Sequence, residues 1–214
     1  MAGVTPNERD LKKRRVPQQA RSKERVERIL DAAADLVATR GVEGLSTRGI
    51  AESASIPVAS LYQYFADKED ILLALVERDI EAMDTQVMTD VGALEAPTIP
   101  DIVETTMRAF VKVYHRSPAF VMIWLRGRTN HAIRRYGRDH NRQVARDLFD
   151  LASGLGLLTD EARPEYAEIA VEIGDRLFQL AFETDLNGDP VVLAEAEKMV
   201  ANYLGLYATP AGRG

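Results

Sequence analysis

The chain of 214 residues contains no cysteine, which removes disulfide scaffolds, thiolate zinc sites, thiol nucleophiles and iron–sulfur ligation together. Histidine is scarce: the three residues His115, His131 and His140 are too few for a histidine-rich metal site, and no metal or cofactor is expected. Long apolar runs are missing as well. The longest, Ala119 to Leu125, falls far short of the roughly 18 to 20 residues that a membrane helix needs, so no membrane association is expected. The opening stretch, MAGVTPNERDLKKRRVPQQ, lacks the apolar core of a secretory signal, and the expected compartment is the cytoplasm. No segment alternates apolar and polar residues as a half-buried strand does. No phosphate loop, nucleophile elbow or His–Glu metal signature is present either, which leaves an all-α enzyme as a weak alternative. Finally, excess positive charge is lacking: 27 Lys and Arg face 33 Asp and Glu, a net charge of −6 that on its face speaks against a nucleic-acid partner.

That deficit is unevenly spread. Residues 1–72 carry 12 basic and 11 acidic side chains, whereas residues 73–214 carry 15 and 22, so the acidity belongs to the later part. Residues 1–28 alone hold nine Lys and Arg against four acids. Residues 1–20 read as a flexible basic arm, for which a solvated tail without a role is the plain alternative.

Beyond the arm the pattern is helical throughout. Val26, Ile29, Leu30, Ala33, Leu36 and Val37 recur at helical spacing between a Ser22 cap and Gly41. A short second helix runs from the Ser46/Thr47 cap to about Ser53. After the break SASIP a third begins at Pro57, whose ring suits a first helical position, and closes around Phe65 to Asp67. Asp67 can cap a fourth helix, with Asp70 completing a partial capping box, and helical spacing then persists from Ile71 to Leu94. The break from Ala96 to Pro100 precedes a fifth helix marked by Ile102, Val103, Met107, Phe110 and Tyr114. Ser117-Pro118 interrupts it, and the compact segment AFVMIWL leads to a seventh from about Thr129 to Ser153, ended by Gly154 and Gly156. Thr159 or Pro164 opens an eighth. Asn187-Gly188-Asp189-Pro190 is a turn followed by an Asp cap with Pro at the first helical position, starting a ninth that runs to about Tyr207.

Two short helices joined by a tight turn and packed on a longer one form the layout of a helix-turn-helix, whose second helix enters the DNA major groove by its first residues. Tyr62 and Tyr64 offer phenols suited to phosphate oxygens on a segment that spends Leu61 and Phe65 on its core. Lys68 stands in the first turn of the long helix, where its charge opposes the macrodipole unless a phosphate lies there. Thr47 and Arg48 could serve neighbouring phosphates.

From Ile29 to Leu75, and above all in STRGIAESASIPVASLYQYFADKEDILLAL, the sequence resembles the N-terminal DNA-binding domain of the TetR family of transcriptional regulators. The pairs Ile50-Ala51, Leu61-Tyr62, Tyr64-Phe65 and Lys68-Glu69 carry the resemblance. It implies an all-α dimer of nine-helix subunits, each with an N-terminal three-helix helix-turn-helix domain (residues 21–70) and a C-terminal helical ligand-binding and dimerisation domain (residues 71–214). The implied function is a ligand-responsive regulator, most simply a repressor, that binds a palindromic double-stranded DNA operator and is released by a small-molecule effector. By matching position, Thr47, Tyr62 and Lys68 would anchor phosphates, with Tyr64 near the backbone. Val58, Ala59, Ser60 and Gln63 would face base edges, and Arg48 a guanine. Two departures stand out. The family usually has Gly in the turn where this chain has Ser55, and a Ser or Thr cap where it has Pro57.

In the C-terminal half, Ile133, Tyr136, His140, Val144, Leu148 and Leu151 form the inward face of the seventh helix. The complementary stripe is basic: Arg128, His131, Arg135, Arg138, Arg142 and Arg146. It reads as a solvated face, as a site for an anionic ligand, or as an ion-paired face between subunits. Met107, Phe110, Tyr114, Trp124, Arg128, Tyr136, His140 and Phe178 make up the candidate pocket, although the aromatic and Met members also read as plain core and His140 as a hydrogen-bonded core histidine. The eighth helix is apolar on more than one face. Ile169, Ile173, Leu177 and Leu180, with Met199 and Tyr203 of the ninth, are the expected homodimer interface. A helical interaction module without DNA binding is the remaining alternative.

Overall fold

The computed structural model describes residues 8–126 and 130–214, with side chains from Ala20 onward. Arg128 of the candidate pocket and residues 1–7 of the expected arm lie outside the described residues. Among the described residues the chain is helical, with one isolated bridge pairing Leu158 to Ala208 and no strand. Two compact units divide it, Met1–Ala74 and Leu75–Gly214.

The first unit is built from α1 (Glu8–Arg40), α2 (Thr47–Ser53), α3 (Val58–Leu61) and the start of α4 (Lys68–Gly92). The first helix begins at Glu8 rather than after Ser22. Ser22 lies among good helix formers, Gln18, Gln19, Ala20, Lys23 and Glu24, so its capping capacity goes unused. Ile29, Ala33 and Val37 of α1, Ile50 and Ala51 of α2, and Leu61 of α3 are all fully buried and make one small core. Burying each of the larger side chains contributes roughly 1.5–3 kcal/mol, so the packing of α2 and α3 on α1 outweighs the weak intrinsic stability of helices this short.

The second unit holds the rest of α4, then α5 (Ile99–Arg116), α6 (Pro118–Phe120), a π-helical turn (Val121–Arg126), α7 (His131–Gly154), α8 (Pro164–Ala181), α9 (Pro190–Gly205) and α10 (Pro210–Arg213). The nine expected helices correspond to α1–α9. The short α10 adds a tenth, capped by the Thr209 hydroxyl, which accepts from the Gly212 N–H at 3.2 Å. The capping chemistry explains most boundaries. Thr98 and Asp101 form a reciprocal capping box, so α5 starts at Ile99, inside the break expected at Ala96–Pro100. Asn130 caps α7 by accepting from Ala132 and Ile133, which moves its start past Thr129. Pro164 opens α8, and Asp189 with Pro190 opens α9 as the sequence spacing implies. The α8 helix packs between α7 and α9, and α9 also packs on α5. Tyr114 sits at the centre, its ring 5.6 Å from Phe120, 5.6 Å from Phe178 and 5.2 Å from Phe182.

Candidate nucleic-acid interface and ligand cavity

The helix-turn-helix is assembled by local hydrogen bonds. Ser46 caps α2, its hydroxyl accepting from the Gly49 N–H at 3.1 Å. At the other end the Ser55 N–H donates to the Glu52 carbonyl at 3.1 Å and the Ile56 N–H to that of Ala51 at 3.0 Å, the paired bonds of a Schellman stop. That stop requires a left-handed residue, and Ser55 supplies it with φ 54° at a cost of about 1 kcal/mol relative to Gly. From α1, Arg28 donates to the Ala54 carbonyl at 2.5 Å, fastening the end of α2. Part of the N-terminal positive charge is therefore structural, which the charge count alone does not reveal.

Pro57 stands one position earlier than expected. With ψ 139° it is the extended cap residue before α3, and it offers no side-chain cap. Leu61 and Phe65 are buried, which turns Ala59, Tyr62 and Gln63 outward and leaves Val58, Ser60 and Tyr64 partly exposed. Tyr62 and Thr47 meet: their hydroxyl oxygens are 3.0 Å apart. Arg48 points its Nε at the Glu52 carboxylate at 3.0 Å, on a surface so exposed (83% and 67%) that the pair is worth only about 0.3–0.5 kcal/mol and is easily exchanged for another acceptor.

Lys68 is the first residue of α4, but the start of that helix is not free. Asp67 accepts from the N–H groups of Glu69 and Asp70 at 2.8 and 3.0 Å, and Asp70 accepts from that of Ala66 at 3.0 Å. A phosphate at that helix start would thus meet backbone donors that are partly taken. Two of those donors are already taken by a carboxylate, which also offsets the unfavourable position of Lys68 on the helix dipole. Lys68 itself is half-exposed at that position.

The second unit encloses a cavity of about 110 Å³ with walls from α4, α5, the π-helical turn, α7, α8 and α9. Met107, Phe110, Tyr114, Trp124, His140 and Phe178 all face it. Tyr136 does not. It lies half-buried elsewhere on α7, where burial, and then the carboxylates of Glu77, Asp84 and Glu81, push its phenol above the ordinary range. His140 is held at both edges of its ring: Nε2 lies 2.9 Å from Asp84 Oδ1 on α4, and Trp124 packs edge-on at 6.5 Å. Its Nδ1 is buried without a partner, as is the hydroxyl of Thr106 on α5. Sequence reasoning overlooked Thr106, although its signal was available, since it sits on the apolar stripe of α5 between Val103 and Phe110. It also overlooked Gly137, where an added Cβ would lie 2.8 Å from Trp124 Cη2, so the missing side chain is what admits the indole.

The basic stripe lies apart from the cavity. His131, Arg135, Arg138, Arg142 and Arg146 are exposed, and Arg142 and Arg146 contact Asp139 and Gln143 of their own helix at 3.4 and 3.0 Å. Leu151, expected on the inward face, is 38% exposed. Ala145 and Ala152 are buried, showing that the packed stripe of α7 runs through small residues there. On α8 the buried face is Ala170, Gly174, Phe178 and Ala181. Its other face leaves Ile169 and Leu180 exposed with Ile173 and Leu177 half-buried, and on α9 Met199 is exposed and Tyr203 half-buried. Among the described residues no helix is long and apolar enough to cross a membrane.

Comparison with known proteins bears on both units. Residues 29–75 match the family described as "Bacterial regulatory proteins, tetR family", and residues 97–208 match "Tetracyclin repressor-like, C-terminal domain". The HTH-type transcriptional repressor KstR of Rhodococcus jostii is 39% identical over 64 residues, 30% of each chain. That of Mycolicibacterium smegmatis is 37% identical over 76 residues, 36% of each chain. The chain thus spans about a third of the length of these curated relatives. A TetR-family transcriptional regulator from Streptomyces coelicolor shares the fold with a TM-score of 0.66 and 29% identity, over 86% of this chain and 99% of that one. With both units matched, the second over more than half of the sequence, the chain belongs to the tetR family of bacterial regulatory proteins, which are regulators of transcription and not enzymes.

Proposed function

We propose that the protein is a cytoplasmic transcriptional repressor that binds a palindromic DNA operator as a homodimer and is released when a small molecule occupies the cavity of the second unit. The observation that carries this reading is the hydroxyl pair of Thr47 and Tyr62, 3.0 Å apart on the exposed surface of the helix-turn-helix. Two groups able to donate to phosphate oxygens meet there, while Leu61 and Phe65 of the same segment are buried. Repression is supported by the similarity to the KstR repressors, 39% and 37% identical over 64 and 76 residues.

Thr47, Tyr62 and Lys68 hold phosphates, and Tyr64 approaches the backbone beside them. Val58, Ala59, Ser60 and Gln63 face base edges, and Arg48 leaves Glu52 for a guanine. Small residues at the start of α3 favour thymine methyl contacts and close backbone approach over bidentate pairing. A second copy of the chain covers the outer face of α8 and α9 through Ile169, Ile173, Leu177, Leu180, Met199 and Tyr203. This isologous packing removes apolar surface that one copy leaves in water. Two copies place two recognition helices about 34 to 36 Å apart, one turn of DNA.

Release by an effector requires that ligand and DNA affinities be reciprocally coupled, at a typical 1 to 3 kcal/mol. The contact from His140 on the cavity wall to Asp84 supports a route for that coupling, because Asp84 lies on α4, the helix that begins at Lys68. Titration of a duplex selected from a random pool, with and without a compound that fills the cavity, tests the proposal. Saturable binding that weakens about 5- to 150-fold with the compound is expected. DNA affinity indifferent to a cavity-filling compound refutes it.

A further inference from the structure

The second unit contains two polar atoms that are buried and unpartnered, Thr106 Oγ1 and His140 Nδ1, and both residues line the cavity. A buried polar atom without a partner is unfavourable, so two of them in one largely apolar wall point to hydrogen bonds completed by something that enters. Thr106 is 6% exposed and the His140 side chain 9%, which makes them part of a built wall and not surface groups.

The chemistry of that partner follows from Asp84. An ionised carboxylate only accepts, so the Asp84 oxygen 2.9 Å from Nε2 assigns the ring proton to Nε2. The free Nδ1 accepts from a ligand donor when the ring is neutral and donates to a ligand acceptor when it is charged, and a hydroxyl group serves in both cases. Among the lining residues the charged groups are Arg163, exposed at the edge, and Asp175, so no buried cation waits for an anion. Asn141 is engaged in donating to Glu172 at 3.0 Å, and most of the remaining wall is hydrocarbon and aromatic. The lining follows α7 from His140 to Ala152, a helical advance of about 18 Å, so the lined wall is elongated.

We infer that the cavity takes a neutral, elongated hydrocarbon bearing a hydroxyl group, with that hydroxyl hydrogen-bonded to His140 Nδ1 and the Thr106 hydroxyl available to a second ligand oxygen. His140 is the ligand-binding residue. Asp84 is a positioning residue that fixes its tautomer and orientation. The inference rests on the effector role proposed above for this cavity and gives that effector a chemical class.

The test uses 1-decanol, decanoate and decane as probes on the full chain. Trp124, the single tryptophan, lies in the cavity wall and reports binding by fluorescence, with calorimetry as the second readout. The expected result is saturable binding of 1-decanol, about tenfold tighter than decanoate or decane, the scale of one buried hydrogen bond. His140→Leu should lose about that factor for 1-decanol while decane binding is unchanged. Asp84→Ala, a change at a half-exposed position that keeps the test open if His140→Leu does not fold, should weaken 1-decanol several-fold and again spare decane. Decanoate binding more tightly than 1-decanol overturns the inference, as does 1-decanol affinity unaltered in Asp84→Ala. DNA binding is measured separately: an alcohol that fills the cavity without releasing DNA refutes the effector role and leaves the cavity chemistry standing.

Discussion

The hydroxyls of Thr47 and Tyr62 are 3.0 Å apart on exposed surface, joining the first residue of α2 to the residue after α3. Each satisfies the other where water could do so equally well. The pair therefore adds little to stability and keeps in one place the two hydroxyls proposed to meet phosphates. Tyr62→Phe should change folding stability by less than about 0.5 kcal/mol yet weaken binding to every duplex, specific or random, by roughly 5- to 10-fold. Thr47→Val should act alike, and the double variant should lose less than the product of the two, because both donors serve one place on the backbone. Binding isotherms for the three variants check this. A strong loss of stability in Tyr62→Phe would make the pair a structural strut.

Lys68 and Gln63 should separate by what they read. Lys68→Ala is expected to weaken binding to all sequences and to lower the slope of log affinity against log salt by about 1. Gln63→Ala should instead relax preference at one operator position and leave the salt slope alone. Salt titrations on specific and random duplexes distinguish them, and equal effects of both changes on both duplexes would undo the assignment.

Much of the architecture is legible in the chain because it is written in local chemistry. Ser46, Asp67 and Asp189 cap the helices their positions imply, since a short oxygen-bearing side chain before an apolar period has few other uses there. Cavity residues such as Met107, Phe110 and His140 could be grouped from helical faces alone. Features that depend on several helices meeting could not. Gly137 matters only because Trp124 arrives beside it, Asp84 only because His140 does, and Arg28 only because the end of α2 comes within reach of its guanidinium. The π-helical turn at Val121–Arg126 hides in a segment apolar on all sides, where spacing does not separate one helical pitch from another.

Ser55 holds a left-handed conformation that Gly adopts without penalty, with φ 54°. Ser55→Gly removes the strain but loosens the unfolded chain, so the net gain is expected to be up to about 1 kcal/mol. A β-branched replacement, Ser55→Val, should destabilise by more than that. Urea denaturation of the three proteins decides it. An unchanged or lower midpoint for Ser55→Gly would show that the serine side chain repays its own strain.

Acid should weaken the second unit through Asp101. Its hydrogen bonds from the Thr98 hydroxyl and then the Thr98 N–H hold its carboxyl below the ordinary value. A lowered folded-state pKa contributes stability above about pH 4, the unfolded value, and loses it as pH falls through the folded value, because the unfolded chain binds the proton first. Asp101→Asn should therefore be less stable than the parent at pH 7, with the gap closing below pH 4. Thermal melts across pH 3 to 7 measure the gap, and one that does not vary with pH would remove the carboxylate from the account.

The most direct test of the central claim, sequence-specific DNA binding by a two-fold dimer, is selection of bound duplexes from a random pool, with the mass of the complex measured on the enriched sequence. The account predicts an enriched palindrome with half-site centres about 10 to 10.5 base pairs apart and two chains bound to it. A pool that fails to enrich, or a single chain bound to an asymmetric site, would contradict it.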